Sequence, residues 1–289
     1  MCDRDNLAAW AEGRLSRRAL GSLSLAGAAA ACAPTPAGDA ASGSLAAAGS
    51  EKVSFQTPDG TLDGELFIAA GGTGPGVILW PDIAGIRPAK RQMAARLAGL
   101  GYTVLLANPY YRDVAGQQFA DFADFAGNGG FDKVAPWRGR FTVDTIKIDQ
   151  SACAGWLRRH PAVDKEKGIG TQGYCMTGSY AVVGPAAHAA IKAGGSFHGG
   201  GLVRSDGASP HRTFRSDAHY LIAIARNDDA KAPDEKTALR TAADAARCQA
   251  EIEVYPADHG WCVPDSPSYD HAQAERAWDR LIALYAEAL

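Results

Sequence analysis

Gly168-Ile169-Gly170-Thr171-Gln172-Gly173-Tyr174-Cys175-Met176-Thr177-Gly178 decides the fold, because a strand-like run ends in a tight Gly-x-Cys-x-x-Gly turn that opens a small-residue helix. That layout is a nucleophile elbow, in which a sharp strand-to-helix turn holds a reactive side chain above the sheet edge. Cys175 takes the nucleophile's place. A thiol there meets free backbone N–H groups and the positive end of the helix dipole, which favour both the thiolate and a developing oxyanion.

Outward from the elbow, strands and helices alternate. Gly76-Val77-Ile78-Leu79-Trp80 is a continuous apolar run, as expected of a central parallel strand covered on both faces. Lys90 to Leu100 reads as an amphipathic helix ended by Gly101, and Tyr102 to Ala107 as the next strand of a right-handed βαβ unit. Lys52 to Phe55 and Leu62 to Ile68 flank Pro58-Asp59-Gly60 and read as an edge hairpin. Downstream, helices are expected over Phe141 to His160, over Tyr180 to Lys192 with Pro185 inside or interrupting, over Asp234 to Cys248 and over Ala272 to Leu289. Strands are expected over Gly194 to Phe197, Tyr220 to Ala225 and Glu251 to Tyr255. The alternation predicts an α/β fold with a doubly wound, mostly parallel sheet. Asn108 to Arg140 reads as an irregular excursion over the site. Its Phe119, Phe122, Phe125, Phe131 and Trp137 form either the excursion's own core or the roof of an apolar pocket.

The chain has 289 residues, 46% of them apolar, enough to bury one catalytic domain over 51–289. The formal charge of −3 is spread over interspersed signs without a basic run, which excludes a surface built for nucleic acid or anionic lipid. The expected partner is a small molecule and the expected state a monomer. Within residues 1–31, Ser16-Arg17-Arg18 precedes the uncharged stretch Ala19 to Ala31. That stretch is too short to span a bilayer but suits a signal peptide, and the paired arginines fit twin-arginine export to the periplasm. A plain Ala-rich leader is the alternative. Residues 32–50 read as a flexible linker, and Cys32 leaves open a lipid anchor beside simple cleavage. The six cysteines form no CxxC pair of the kind that holds zinc or works as a redox dithiol. A Cys153–Cys248 disulfide is conceivable in an exported protein, though two buried thiols fit better.

Ligands in open α/β sheets sit at the carboxyl ends of the strands. One strand exits into Arg226-Asn227-Asp228-Asp229 and the last into Pro256-Ala257-Asp258-His259-Gly260, giving nucleophile, acid and base in chain order. His259 would accept the thiol proton and return it to the leaving group, and a carboxylate behind it would fix the tautomer. The acid is Asp228 counted from the strand end, or Asp229 counted back from Pro233. The oxyanion hole falls to the backbone N–H groups of Met176 and Ile83. Asp82 is then aimed at the site, where its charge opposes the thiolate unless it is paired, and Arg112 could pair with it or bind a substrate carboxylate. A loop salt bridge with Asp113 is the plainer role for Arg112. His198, in Ser196-Phe197-His198-Gly199-Gly200-Gly201, either lines the pocket or belongs to a glycine-rich turn. Cys262 reads first as a buried structural thiol, with approach to the site as a redox partner of Cys175 as the alternative.

With the elbow, Asn227-Asp228-Asp229 and Tyr255-Pro256-Ala257-Asp258-His259-Gly260-Trp261 in place, residues 52 to 289 resemble the dienelactone hydrolase family of α/β-hydrolases. The resemblance implies a Cys-His-Asp triad, no metal or organic cofactor, and hydrolysis of a lactone or activated ester through a thioester acyl-enzyme. It also implies that an acidic residue at Asp82 holds the resting cysteine and that an arginine at Arg112 helps bind a carboxylate. Two positions depart from the family: Thr177 stands where a glycine is usual, and Asp82 where glutamate is common. They leave a catalytically degenerate binding protein as the second expectation.

Overall fold

The computed structural model describes residues 4–23, 50–205 and 207–289. The Cys32 anchor, almost all of the 32–50 linker and the leader from 24 to 31 lie outside them. Among the described residues one sheet runs in the order β1-β2-β4-β3-β5-β6-β7-β8. β1 (Ser50–Thr57) and β2 (Gly60–Phe67) form the expected antiparallel hairpin, and β2 pairs antiparallel with β4 (Thr103–Ala107). From there β3 (Gly76–Trp80), β5 (Ile169–Tyr174), β6 (Ile191–Phe197), β7 (His219–Ala225) and β8 (Gln249–Tyr255) are parallel, as is β4 to β3.

The two-residue side-chain period sorts the central strands between two cores. Val77 and Leu79 pack toward α2 (Pro88–Gly99) and α9 (His271–Ala288) with Met93, Leu97 and Leu281. Ile78 and Trp80 pack toward α5 (Val143–Arg159) and α6 (Gly178–Ala187) with Ile146, Leu157 and Val183. Both faces are therefore covered, which is why β3 is apolar throughout, β4 is apolar after Thr103, and both are buried at every position.

Three elements differ from expectation. The helix after the elbow starts at Gly178 and ends at Ala187, with Pro185 inside it. Its chain then turns on His188, whose carbonyl accepts from Ile191 N–H and whose Nδ1 accepts from Ala190 N–H. Buried Ile191 pairs with Ile169, so β6 begins three residues before Gly194. The stretch Asn108 to Arg140 is not irregular but holds α3 (Phe122–Gly127), capped by the Asp121 side chain, and α4 (Gly130–Arg138). The leader residues Arg4–Leu23 form a helix, α1, whose first turns pack on the domain. Cys153 and Cys248 are both free thiols, and no described helix is long and apolar enough to cross a membrane.

Candidate active site

β5 ends at Tyr174, and Cys175 takes φ +57°, a left-handed conformation that strains a residue with a Cβ. Close approach explains the flanking glycines. A Cβ on Gly173 would stand 1.9 Å from the Thr177 carbonyl oxygen, and one on Gly178 would stand 2.5 Å from Gly199 Cα. Thr177 has a use that its β-branch alone does not suggest. Its buried Oγ1 accepts from Tyr174 N–H at 2.9 Å and lies 2.9 Å from the Pro81 carbonyl and 3.1 Å from that of Trp80. One hydroxyl thus pins the elbow to the end of β3, satisfying a buried N–H as it does so.

The exits of β7 and β8 are tied together. Arg226 N–H donates to the Ala257 carbonyl, and His259 N–H donates to Asn227 Oδ1 at 2.9 Å. These bonds set His259 beside α7 (Arg226–Lys231), where Asp228 Oδ2 lies 2.6 Å from His259 Nδ1. The two acid candidates are separated by this geometry: Asp229 turns away and accepts from Lys236 Nζ at 2.7 and 2.9 Å. Burial pushes the Asp228 carboxyl up, but the hydrogen bond and charge of His259 outweigh it and leave the pKa below the ordinary value. Burial likewise pushes the Cys175 thiol up. The charge and hydrogen bonding of His259, helped by the Met176 N–H and opposed by Asp82, bring it below the usual thiol range. Cys175 and His259 line one cleft of about 190 Å³, with Asp228 behind the imidazole, and all three are only partly buried.

Asp82, Ile83, His198 and Phe122 also line that cleft. Ile83 is braced by the Tyr110 hydroxyl, which donates to its carbonyl at 2.8 Å. Asp82 is fully engaged away from the sulfur: Oδ1 accepts from Arg87 Nη1 at 2.7 Å and from Ala84 N–H at 3.0 Å. Its Oδ2 accepts from Arg87 Nη2 at 2.9 Å and faces Lys90 Nζ at 3.0 Å. Burial alone would raise the Asp82 pKa, but the two cations hold it far below the carboxylate range. His198 has φ +40°, is buried, and stands edge-on to His259 with ring centres 4.6 Å apart. Burial first, and then the charge of His259, press its pKa well below the ordinary imidazole value.

One expectation is corrected. Arg112 pairs with neither Asp82 nor Asp113, which is taken by Arg140, and it does not line the cleft. It donates to Asp59 at 2.7 Å and to Asp149 at 2.7 Å, because the β1–β2 turn and α5 both present carboxylates to it. Cys262 is the buried thiol that its sequence reading favours: it faces a separate cavity behind Tyr174, with its thiol pushed up to about 12 by burial, and it does not line the cleft. Arg87 escaped the sequence reading. It is fully buried, and besides Asp82 it donates to Asp265 at 2.8 and 2.9 Å, while Asp265 accepts from Phe122 N–H. One guanidinium therefore joins the β3 exit, the β8 exit loop and the start of α3. The only available signal was chemical: a carboxylate next to a working thiol needs a paired cation, and Arg87 is the first cation after Asp82 in sequence.

The model of the dienelactone hydrolase family matches residues 62–289. A protein of Escherichia coli assigned as a carboxymethylenebutenolidase is 27% identical over 218 residues, covering 74% of this chain and 77% of its own. One of Salmonella typhi with the same assignment is 26% identical over 224 residues, covering 76% and 79%. Among solved structures, one from Klebsiella pneumoniae assigned as a dienelactone hydrolase superposes with a TM-score of 0.67 at 23% identity, over 82% of this chain and 98% of that one. A dienelactone hydrolase-like promiscuous phosphotriesterase from metagenomic libraries gives 0.63 at 21% identity, over 83% and 98%. At these identities the structural likenesses speak for the fold.

Proposed function

The chain belongs to the dienelactone hydrolase family, a group of α/β-fold ester and lactone hydrolases, and from that premise we propose that it hydrolyses a small lactone or ester through a thioester on Cys175. The observation that carries the proposal is the 2.6 Å contact of Asp228 with His259, together with the depression of the Cys175 thiol by that same imidazole.

Asp228 holds His259 through Nδ1, which leaves Nε2 toward the thiol and stabilises the charged ring. Cys175 gives its proton to His259, and the thiolate attacks the acyl carbon, forming the C–S bond. The carbonyl oxygen becomes an oxyanion facing the N–H groups of Met176 and Ile83, which are preorganised at the helix start and the braced β3 exit. Collapse breaks the C–O bond, and the departing alkoxide takes the proton from His259. Water then attacks the thioester while His259 removes its proton, the C–S bond breaks, and acid and thiolate separate. In a lactone the alcohol stays tethered to the released acid. The cleft is smaller than the ≈300–1,000 Å³ of drug-sized pockets, and its Phe122 and Ile83 walls favour a compact apolar acyl group.

Cys175→Ala is expected to abolish turnover of p-nitrophenyl acetate with the fold intact, and mass spectrometry of the mixed wild-type enzyme is expected to find the acyl group on the Cys175 peptide. Turnover by the alanine variant overturns the proposal. Export belongs to the same reading, supported by Ser16-Arg17-Arg18 ahead of Ala19 to Ala31. Fractionation of cells making the full chain with Arg17→Lys and Arg18→Lys tests it: an unchanged distribution rules it out.

A further inference from the structure

We infer that α1 is the outer wall of the substrate cleft and sets the size of the acyl group that reaches Cys175. The inference deepens the proposed hydrolase function and rests on it.

Asn6 and Leu7 of α1 line the same cleft as Cys175, His198 and His259. The helix is seated there by its own register. Leu7, Trp10 and Ala11 fall on one face, and Ala11 is completely buried. Leu7 and Trp10 pack against the cluster that contains Ile83, Phe122 and Phe125, with the Trp10 and Phe122 rings 6.2 Å apart. At the first turn, Arg4 donates to Asp132 at 3.0 Å, and its guanidinium stands 5.0 Å from the centre of the Phe131 ring. Apolar packing and a charged clasp thus hold α1 against α3 and α4. Phe122 belongs to both surfaces, since it packs on Trp10 and also faces the cleft. α1 is the element that carries Ser16-Arg17-Arg18. The chain that keeps α1 therefore has the narrow cleft, and a chain from which the leader has been cleaved lacks this wall.

The test uses the full chain with p-nitrophenyl acetate and p-nitrophenyl octanoate. Ala11→Arg places a charge on the buried face of α1 without touching the cleft. It is expected to raise the octanoate-to-acetate ratio of kcat/KM by about tenfold, the scale on which pocket volume discriminates acyl chains, with acetate turnover unchanged. Leu7→Trp narrows the cleft from the docked helix and is expected to lower the ratio by about as much. Alkylation of Cys175, read by peptide mass spectrometry, gives an independent measure: Ala11→Arg should speed labelling by N-phenylmaleimide more than by iodoacetamide. If neither variant moves the ratio or the labelling preference, the wall assignment is wrong. If Ala11→Arg unfolds the domain, Leu7→Trp decides alone. Ester turnover that survives Cys175→Ala sinks the hydrolase proposal instead, and the labelling preference still reads the wall.

Discussion

Arg87→Met is the sharpest perturbation of the site, because it substitutes no cleft-lining residue. The guanidinium makes four hydrogen bonds of 2.7–2.9 Å to Asp82 and Asp265, and it is completely buried. Removing one partner of such a buried charge pair costs about 3–5 kcal/mol, since the remaining carboxylate keeps its desolvation penalty. At about 2–4 °C per kcal/mol for a domain approaching this size, the melting temperature should fall by roughly 6–20 °C. Function should change too. The β3 exit that carries the Ile83 N–H and the β8 exit loop that carries His259 lose their common tie, and displacement near 1 Å costs on the order of 10²-fold in rate. Asp82 also loses most of its compensation, so its charge bears harder on the thiolate, and the acid limb of the kcat/KM profile should move to higher pH. Arg87→Lys keeps the charge without the two-armed fork and should recover part of each effect. Differential scanning calorimetry and a pH–rate profile on the same three proteins give the answer. A melting drop below about 2 °C, under 1 kcal/mol, with an unmoved acid limb would refute the clasp.

Asp228→Asn should lower kcat by on the order of 10⁴-fold, as loss of the imidazole's orienting carboxylate does in hydrolase triads, whereas Asp229→Asn severs only its Lys236 pair and should leave kcat unchanged. Steady-state kinetics of the two variants side by side checks the assignment. The thiol's depressed pKa makes activity rise with pH as the thiolate forms, so iodoacetamide labelling of Cys175 should titrate below an ordinary thiol and shift upward in His259→Gln, which removes the main opposing cause. Arg112→Met should destabilise the fold by about 3–5 kcal/mol, because Asp149 is left buried, yet leave KM for a carboxylate-bearing ester unaltered; a KM increase would restore Arg112 to substrate binding. Wild-type stability should fall as pH drops below about 4, the range where an unfolded carboxylate takes up protons that Asp82 in the fold refuses. Urea unfolding at a series of pH values, with Asp82→Asn as control, measures that loss.

The fold and the convergence of Cys175 with His259 were legible because both rest on local patterns. Apolar runs such as Gly76 to Trp80 can only be covered on two faces, and a glycine-flanked elbow can only be built at a strand-to-helix turn. Boundaries were less legible where a side chain overrode composition. Ile191 joins β6 ahead of the glycine run because Ile169 offers it a buried partner, and Asp121 turns part of an apparently irregular stretch into a helix by capping it.

Chemistry by residue type and order in the chain is the part the sequence determined alone: a thiol, then carboxylates, then a histidine, each leaving a strand at one sheet edge. Which carboxylate faces the ring, which cations neutralise Asp82, and what stands across from Cys175 were decided only in three dimensions. Asp228 and Asp229 differ by one step along a short helix, which turns one toward His259 and the other toward Lys236. Arg87 meets Asp265 across 178 positions, and α1 reaches the cleft from the far end of the chain. Local spacing encodes backbone shape, but charge pairing and cleft walls depend on distances that exist only after the sheet has brought distant segments together.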